Sequence, residues 1–101
     1  MEVGTVRQDR TLTLTLCGEL DHHGAKGLID KVEREIEATL PLKLVVDMQN
    51  VHFMDSSGIA VVIRGKQRMR ELGGTIVLSH VPAQPKKVFD ASGISRMVTI
   101  E

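Results

Sequence analysis

Thr11 to Leu16 reads TLTLTL. So strict an alternation fits an extended strand, because successive strand side chains point to opposite faces. Leu12, Leu14 and Leu16 then share one face, and that face must be covered. Glu2 to Arg7 is expected as a partner strand, with Gln8, Asp9 and Arg10 forming the turn between them. Cys17 falls in phase with the threonines, on the less buried face, where the thiol reads as structural.

The period then changes. Gly18 to Gly24, GELDHHG, breaks the strand, and from Ala25 the apolar residues Leu28, Val32, Ile36 and Leu40 recur at helical spacing, with Ile29 beside them. Pro41 ends this helix, since the residue before a proline disfavours helical angles. Leu42 to Met48 is nearly continuous in apolar residues, as in a strand covered on both faces. After the stretch FMDSSG (Phe53–Gly58), a second helix is predicted from Ser57 to Leu72. It would be amphipathic, carrying Ile59, Val62, Ile63 and Met69, and stop at Gly73-Gly74. Thr75 to Ser79 is another strand. Pro82 and Pro85 open a short helix with Val88 and Phe89 inside, Ala91-Ser92-Gly93 closes it, and Met97 to Ile100 is a last strand.

The order β-β-α-β-α-β-α-β implies an α/β fold: a mixed, mostly parallel sheet of about five strands with helices packed against it. The 101 residues suffice for one domain, spanning 1–101. In open sheets of this kind, functional sites gather at the carboxyl ends of strands. GELDHH and FMDSSG both lie there.

Composition removes several function classes. Thirteen basic residues balance thirteen acidic ones, and Trp and Tyr are absent. Nucleic-acid binders carry a basic excess, and single-strand binders need aromatic stacking platforms, so no nucleic-acid partner is expected. A lone cysteine forms no internal disulfide, and no Cys/His spacing suits zinc. No apolar run approaches the ~18 residues of a membrane span, and no leader is apparent. The expectation is a soluble, cytoplasmic protein without metal or cofactor.

FMDSSG admits three readings. Asp55 or Ser56 could simply cap the second helix, a contribution of ~0.5–2 kcal/mol. A serine nucleophile would need a base, for which His22 and His23 are the candidates, but the G-x-S-x-G elbow is missing because Met54 stands at its first glycine. The third reading is a serine that accepts a phosphate. A helix start tolerates added negative charge through its free amides and its dipole, whereas a docked partner would have to bury or repel it.

GELDHH at Gly18–His23, LKLVVDM, FMDSSG, ELGG at Glu71–Gly74 and VFDASGI at Val88–Ile94 occur in order along the chain. Together they resemble the anti-sigma factor antagonists, a family of STAS domains, and the sporulation type above all. The resemblance implies a domain with no catalytic activity. Its unphosphorylated form would bind an anti-sigma factor that is also a serine kinase, releasing the sigma factor. That kinase, which carries ATP or ADP, would phosphorylate the serine directly after Asp, here Ser56, and the complex would separate. A PP2C-like phosphatase would reset the cycle. The same resemblance implies Asp21, Asp55, Ser57, Gly58 and Ile59 as the partner-binding surface, with Ser57 also serving the turn, in a monomer or weak dimer. Two departures stand out. Gly24 replaces a residue better suited to starting a helix, and the family's final helix is expected to be absent after Glu101. The alternative roles are a stressosome-like STAS scaffold and a ligand-sensing module. The basic run Arg64, Lys66, Arg68, Arg70 could serve a sensor, but it reads more simply as a solvated helix face balancing the acidic first helix.

Overall fold

A computed structural model describes residues 1–101. The elements are β1 (Glu2–Gln8), β2 (Thr11–Leu20), α1 (His22–Thr39), β3 (Lys43–Met54), α2 (Ser57–Glu71), β4 (Thr75–Ser79), α3 (Ala83–Ser92), a 3-10 turn at Ile94–Arg96, and β5 (Thr99–Ile100). The five strands form one sheet in the order β1-β2-β3-β4-β5. β1 runs antiparallel to β2, and every other pairing is parallel. This is the α/β architecture expected from the alternation of strand and helix periods.

The leucine face of β2 carries the core. Leu12 and Leu14 are fully buried and Leu16 nearly so. Leu12 and Leu14 lie in register with Leu44 and Val46 of β3, which in turn pair with Ile76 and Leu78 of β4. Leu28 and Val32 of α1 share one apolar interior with Val61, Val62 and Gly65 of α2 and with this face of the sheet. Burial of each such aliphatic side chain contributes about 1.5–3 kcal/mol. Ile76 to Ser79 are all buried, so β4 is covered on both faces.

Several boundaries differ from the expected ones. β2 continues to Leu20 instead of breaking at Gly18. Gly18 takes φ +118°, in the region that favours glycine, and the register with β3 shifts there. The bulge lets the strand bend and resume, so Leu20 returns to the interior. β3 likewise extends beyond Met48 to Met54, because Leu20 of β2 is available to pair with Met54. α1 therefore starts at His22, and Gly24 sits inside its first turn.

Leu40 was expected on the inner face of α1 but is 54% exposed, because it adopts φ 45° at the helix end before Pro41 and turns outward. On α2 the buried side is Gly58, Val61, Val62, Gly65 and Met69, while Ile59 and Ile63 are only half-buried. The last strand is shortened to Thr99–Ile100 because Ile94–Arg96 coil into the 3-10 turn. Gly73-Gly74 stops α2 as anticipated: their amides donate to the Arg70 and Met69 carbonyls at 3.1 and 2.8 Å.

Candidate functional site

Parallel pairing brings two chain segments to one edge of the sheet. Leu20 and Met54 are register partners at the carboxyl ends of β2 and β3, and the Asp55 amide donates to the Leu20 carbonyl at 3.2 Å. Asp21 and Asp55 are therefore the first residues past two adjacent strands. Asp21 caps α1, its Oδ1 accepting from the Gly24 amide at 2.9 Å. That hydrogen bond, helped by the charge of His23, holds the Asp21 carboxyl below the usual carboxylate range. His22 and His23 are exposed in the first turn of α1, edge to face with ring centroids 6.1 Å apart.

The FMDSSG turn is built on Met54, which is fully buried. Gly58 opens α2 directly over it: a Cβ on Gly58 would lie 2.4 Å from Met54 Sδ and 3.1 Å from Leu20 Cδ2. Only glycine permits this approach without displacement. Asp55 then ties the turn, its Oδ1 accepting from the Ser57 amide at 2.8 Å. The Gly58 amide donates to the Asp55 carbonyl and the Ile59 amide to the Ser56 carbonyl, both at 3.1 Å. Ser56 is the cap residue by position, yet its side chain makes no capping hydrogen bond and the residue is exposed.

This arrangement revises the three readings in one respect. The capping role belongs to the Asp55 side chain, and the amides of Ser57, Gly58 and Ile59 are already partnered. A charge on Ser56 would thus be favoured by the helix dipole more than by free amides. No side-chain hydrogen bond joins Ser56 to a histidine, and the chain contains no group of three metal-capable side chains.

Of the residues singled out in the sequence, Asp21, Asp55, Ser56, Ser57 and Gly58 lie at this one edge. Ile59, expected as an exposed apolar contact, is half-buried and packs against the core. The exposed apolar residue is instead Phe53, in register with Glu19 and 43% accessible. Its position in FMDSSG, next to a buried methionine, was the available signal. Of the basic run on α2, Arg64 pairs with Glu33 of α1 at 3.0 Å, as expected of a face balancing that helix. Arg68 instead pairs with Glu71 of its own helix at 3.1 Å, Lys66 donates to the Met97 carbonyl, and both Lys66 and Arg68 are half-buried. Gln84, which contacts Met54 from α3, has no local sequence signal at all. A concavity of about 920 Å³ lies elsewhere, beside Lys66, Arg70, Thr75 and Arg96.

Residues 2–101 match the STAS domain. The chain is 36% identical over 88 residues to the anti-sigma F factor antagonist of Lysinibacillus sphaericus, covering 83% of this chain and 72% of that protein. Among solved structures it resembles the anti-sigma factor antagonist SpoIIAA in its unphosphorylated form, with 25% identity, a TM-score of 0.85, and coverage of 99% of this chain and 88% of the other. The Bacillus cell fate determinant SpoIIAA in its phosphorylated form shares the fold at 24% identity and a TM-score of 0.76, with coverage of 99% and 91%.

Proposed function

The chain belongs to the STAS domain family, and on that premise we propose that it is an anti-sigma factor antagonist switched by phosphorylation of Ser56. In the unphosphorylated state it binds an anti-sigma factor that is also a serine kinase, and the sigma factor is freed. The observation that carries this reading is the state of Ser56, which is exposed, unbonded at its side chain and held at the start of a helix whose first three amides are already partnered. A hydroxyl so presented can reach into another protein's active site without unfolding its own turn.

The partner surface is centred on Asp21, Asp55 and Ser57, with half-buried Ile59 at its margin and the exposed ring of Phe53 adding an apolar contact, while buried Gly58 shapes the turn beneath it. Aromatic residues contribute disproportionately at such interfaces. Phosphorylation adds about −1.5 to −2 charge beside Asp21 and Asp55. An interface closed over that cluster would bury unpaired negative charge, at a typical cost of ~2–5 kcal/mol, or tens- to thousands-fold in affinity. A PP2C-like phosphatase returns the chain to its binding form. The site of action is the cytoplasm, where sigma factors work.

The test is incubation with the cognate kinase and ATP, read by intact mass. One phosphate should be added to the wild type and none to Ser56→Ala. Phosphate uptake by Ser56→Ala would remove the assignment to this residue. Tight kinase binding by Ser56→Asp would count against exclusion by charge.

A further inference from the structure

β4 ends at Ser79, opposite Asp47, whereas β3 runs on to Met54. Over its last residues β3 has a strand neighbour only on the β2 side. The Asp55 amide takes the Leu20 carbonyl on that side. The peptide groups of Met54, one residue earlier, face the other way, where no strand continues. Left there, a donor and an acceptor attached to a fully buried residue would cost stability.

The side chain of Gln84 occupies that place. Its Oε1 accepts from the Met54 amide at 2.8 Å, and its Nε2 donates to the Met54 carbonyl at 2.9 Å. A carboxamide offers one acceptor and a donor in the geometry of a peptide group, so a single side chain stands in for the missing strand. Gln84 is half-buried and lies in the first turn of α3 between Pro82 and Pro85. The proline rings restrict the backbone on both sides of it, so little backbone freedom is lost in placing the residue there.

Met54 is also the residue against which Gly58 packs. Asp55 and Ser56 therefore bridge two points fixed to the same residue: its backbone, held by Gln84, and its side chain, beneath α2. We propose that Gln84 is a positioning residue for phosphorylation, setting the location of the Ser56 hydroxyl through Met54. This rests on the assignment of Ser56 as the phosphorylated residue. It adds a residue 28 positions further along the chain (84 − 56) that need not touch the kinase.

The test combines amide exchange with phosphorylation kinetics on wild type, Gln84→Ala and Gln84→Glu. In Gln84→Ala the Met54 amide should exchange roughly ten-fold faster, as expected for the loss of a buried hydrogen bond. The kcat for phosphorylation should fall roughly ten-fold with KM little changed, since a displaced nucleophile loses reactivity more than docking. Gln84→Glu keeps an acceptor for the Met54 amide but sets a carboxylate oxygen against the Met54 carbonyl at neutral pH, so it should retain more amide protection than Gln84→Ala while its kcat still falls below that of the wild type. It also decides the case should Gln84→Ala not fold. Unchanged exchange, unchanged kcat, or a rise in KM alone would overturn the positioning role. A wild type that takes up no phosphate would overturn the phosphorylation reading and this role together, whereas equal kcat in a phosphorylated wild type and its variants would overturn this role alone.

Discussion

At the residue scale, Asp21 and Asp55 do the same job for successive helices in slightly different ways. Asp21 accepts from an amide three residues on, and Asp55 from one two residues on. Both are short acids following a strand; the capping potential of Asp55 was legible in the sequence, whereas that of Asp21 was hidden because the first helix was expected only from Ala25 and begins at His22. Which oxygen meets which amide was hidden too, because it depends on where each strand ends, and β2 continues through a bulge. Asp21 carries a testable electrostatic consequence. The Gly24 amide and the charge of His23 lower its pKa in the folded chain. Its contribution to stability is therefore present above the unfolded value, near 3.8, and is lost as pH falls through the lower folded value. Asp21→Asn keeps an oxygen for the Gly24 amide but cannot titrate. Thermal midpoints of wild type and variant should differ most near neutrality and converge from about pH 4 downward. A gap that widened on acidification would reverse the assigned sign.

At the scale of elements, α2 determines whether a phosphate on Ser56 is a signal or damage. The negative group would sit at the amino end of a 15-residue helix, where the dipole favours it by ~0.3–1 kcal/mol. Asp55 opposes it through repulsion, and no amide must be freed to receive it. The two effects nearly cancel, so the phosphorylated protein should melt within about 4 °C of the unmodified one, given ~4–8 °C per kcal/mol for a domain of this size. Calorimetry on the two forms would check this, and a drop of ten or more degrees would mean that phosphorylation acts by unfolding the turn. The helices and strands themselves were legible because their periods differ sharply, as in TLTLTL against the spacing of Leu28, Val32 and Ile36. What stayed hidden was contact between distant segments. Gln84 reads as an ordinary polar residue between prolines, and only the early end of β4 makes its carboxamide useful. Ile59 looked like an exposed apolar contact, but a helix seated this close to Met54 turns it partly inward.

At the scale of the whole molecule, the distribution of exposed apolar residues bears on how the protein associates. A standard interface removes about 800 Å² from each partner, roughly one-seventh of this protein's surface of 5762 Å². The large exposed apolar residues are Met1, Val6, Leu40, Leu42, Phe53 and Met97. Leu40 and Leu42 flank the amino end of β3, and Phe53 is near its carboxyl end. They are spread over the molecule, whereas a permanent dimer needs an apolar region. The outer edge of β1 offers unpaired peptide groups to a second copy, but Glu2 and Arg7 place charges along it, a feature that discourages edge-to-edge pairing. Under the proposed switch, a chain that exchanges a kinase for a phosphatase would gain from keeping its surface free. The protein is therefore expected to sediment near its monomer mass of 11.1 kDa at micromolar concentration, with weak dimerisation at most as concentration rises. A large stable assembly of the isolated chain would favour the scaffold role. A concentration-independent monomer that shifts to a discrete complex only with the kinase would favour the switch, and Ser56→Asp should abolish that shift.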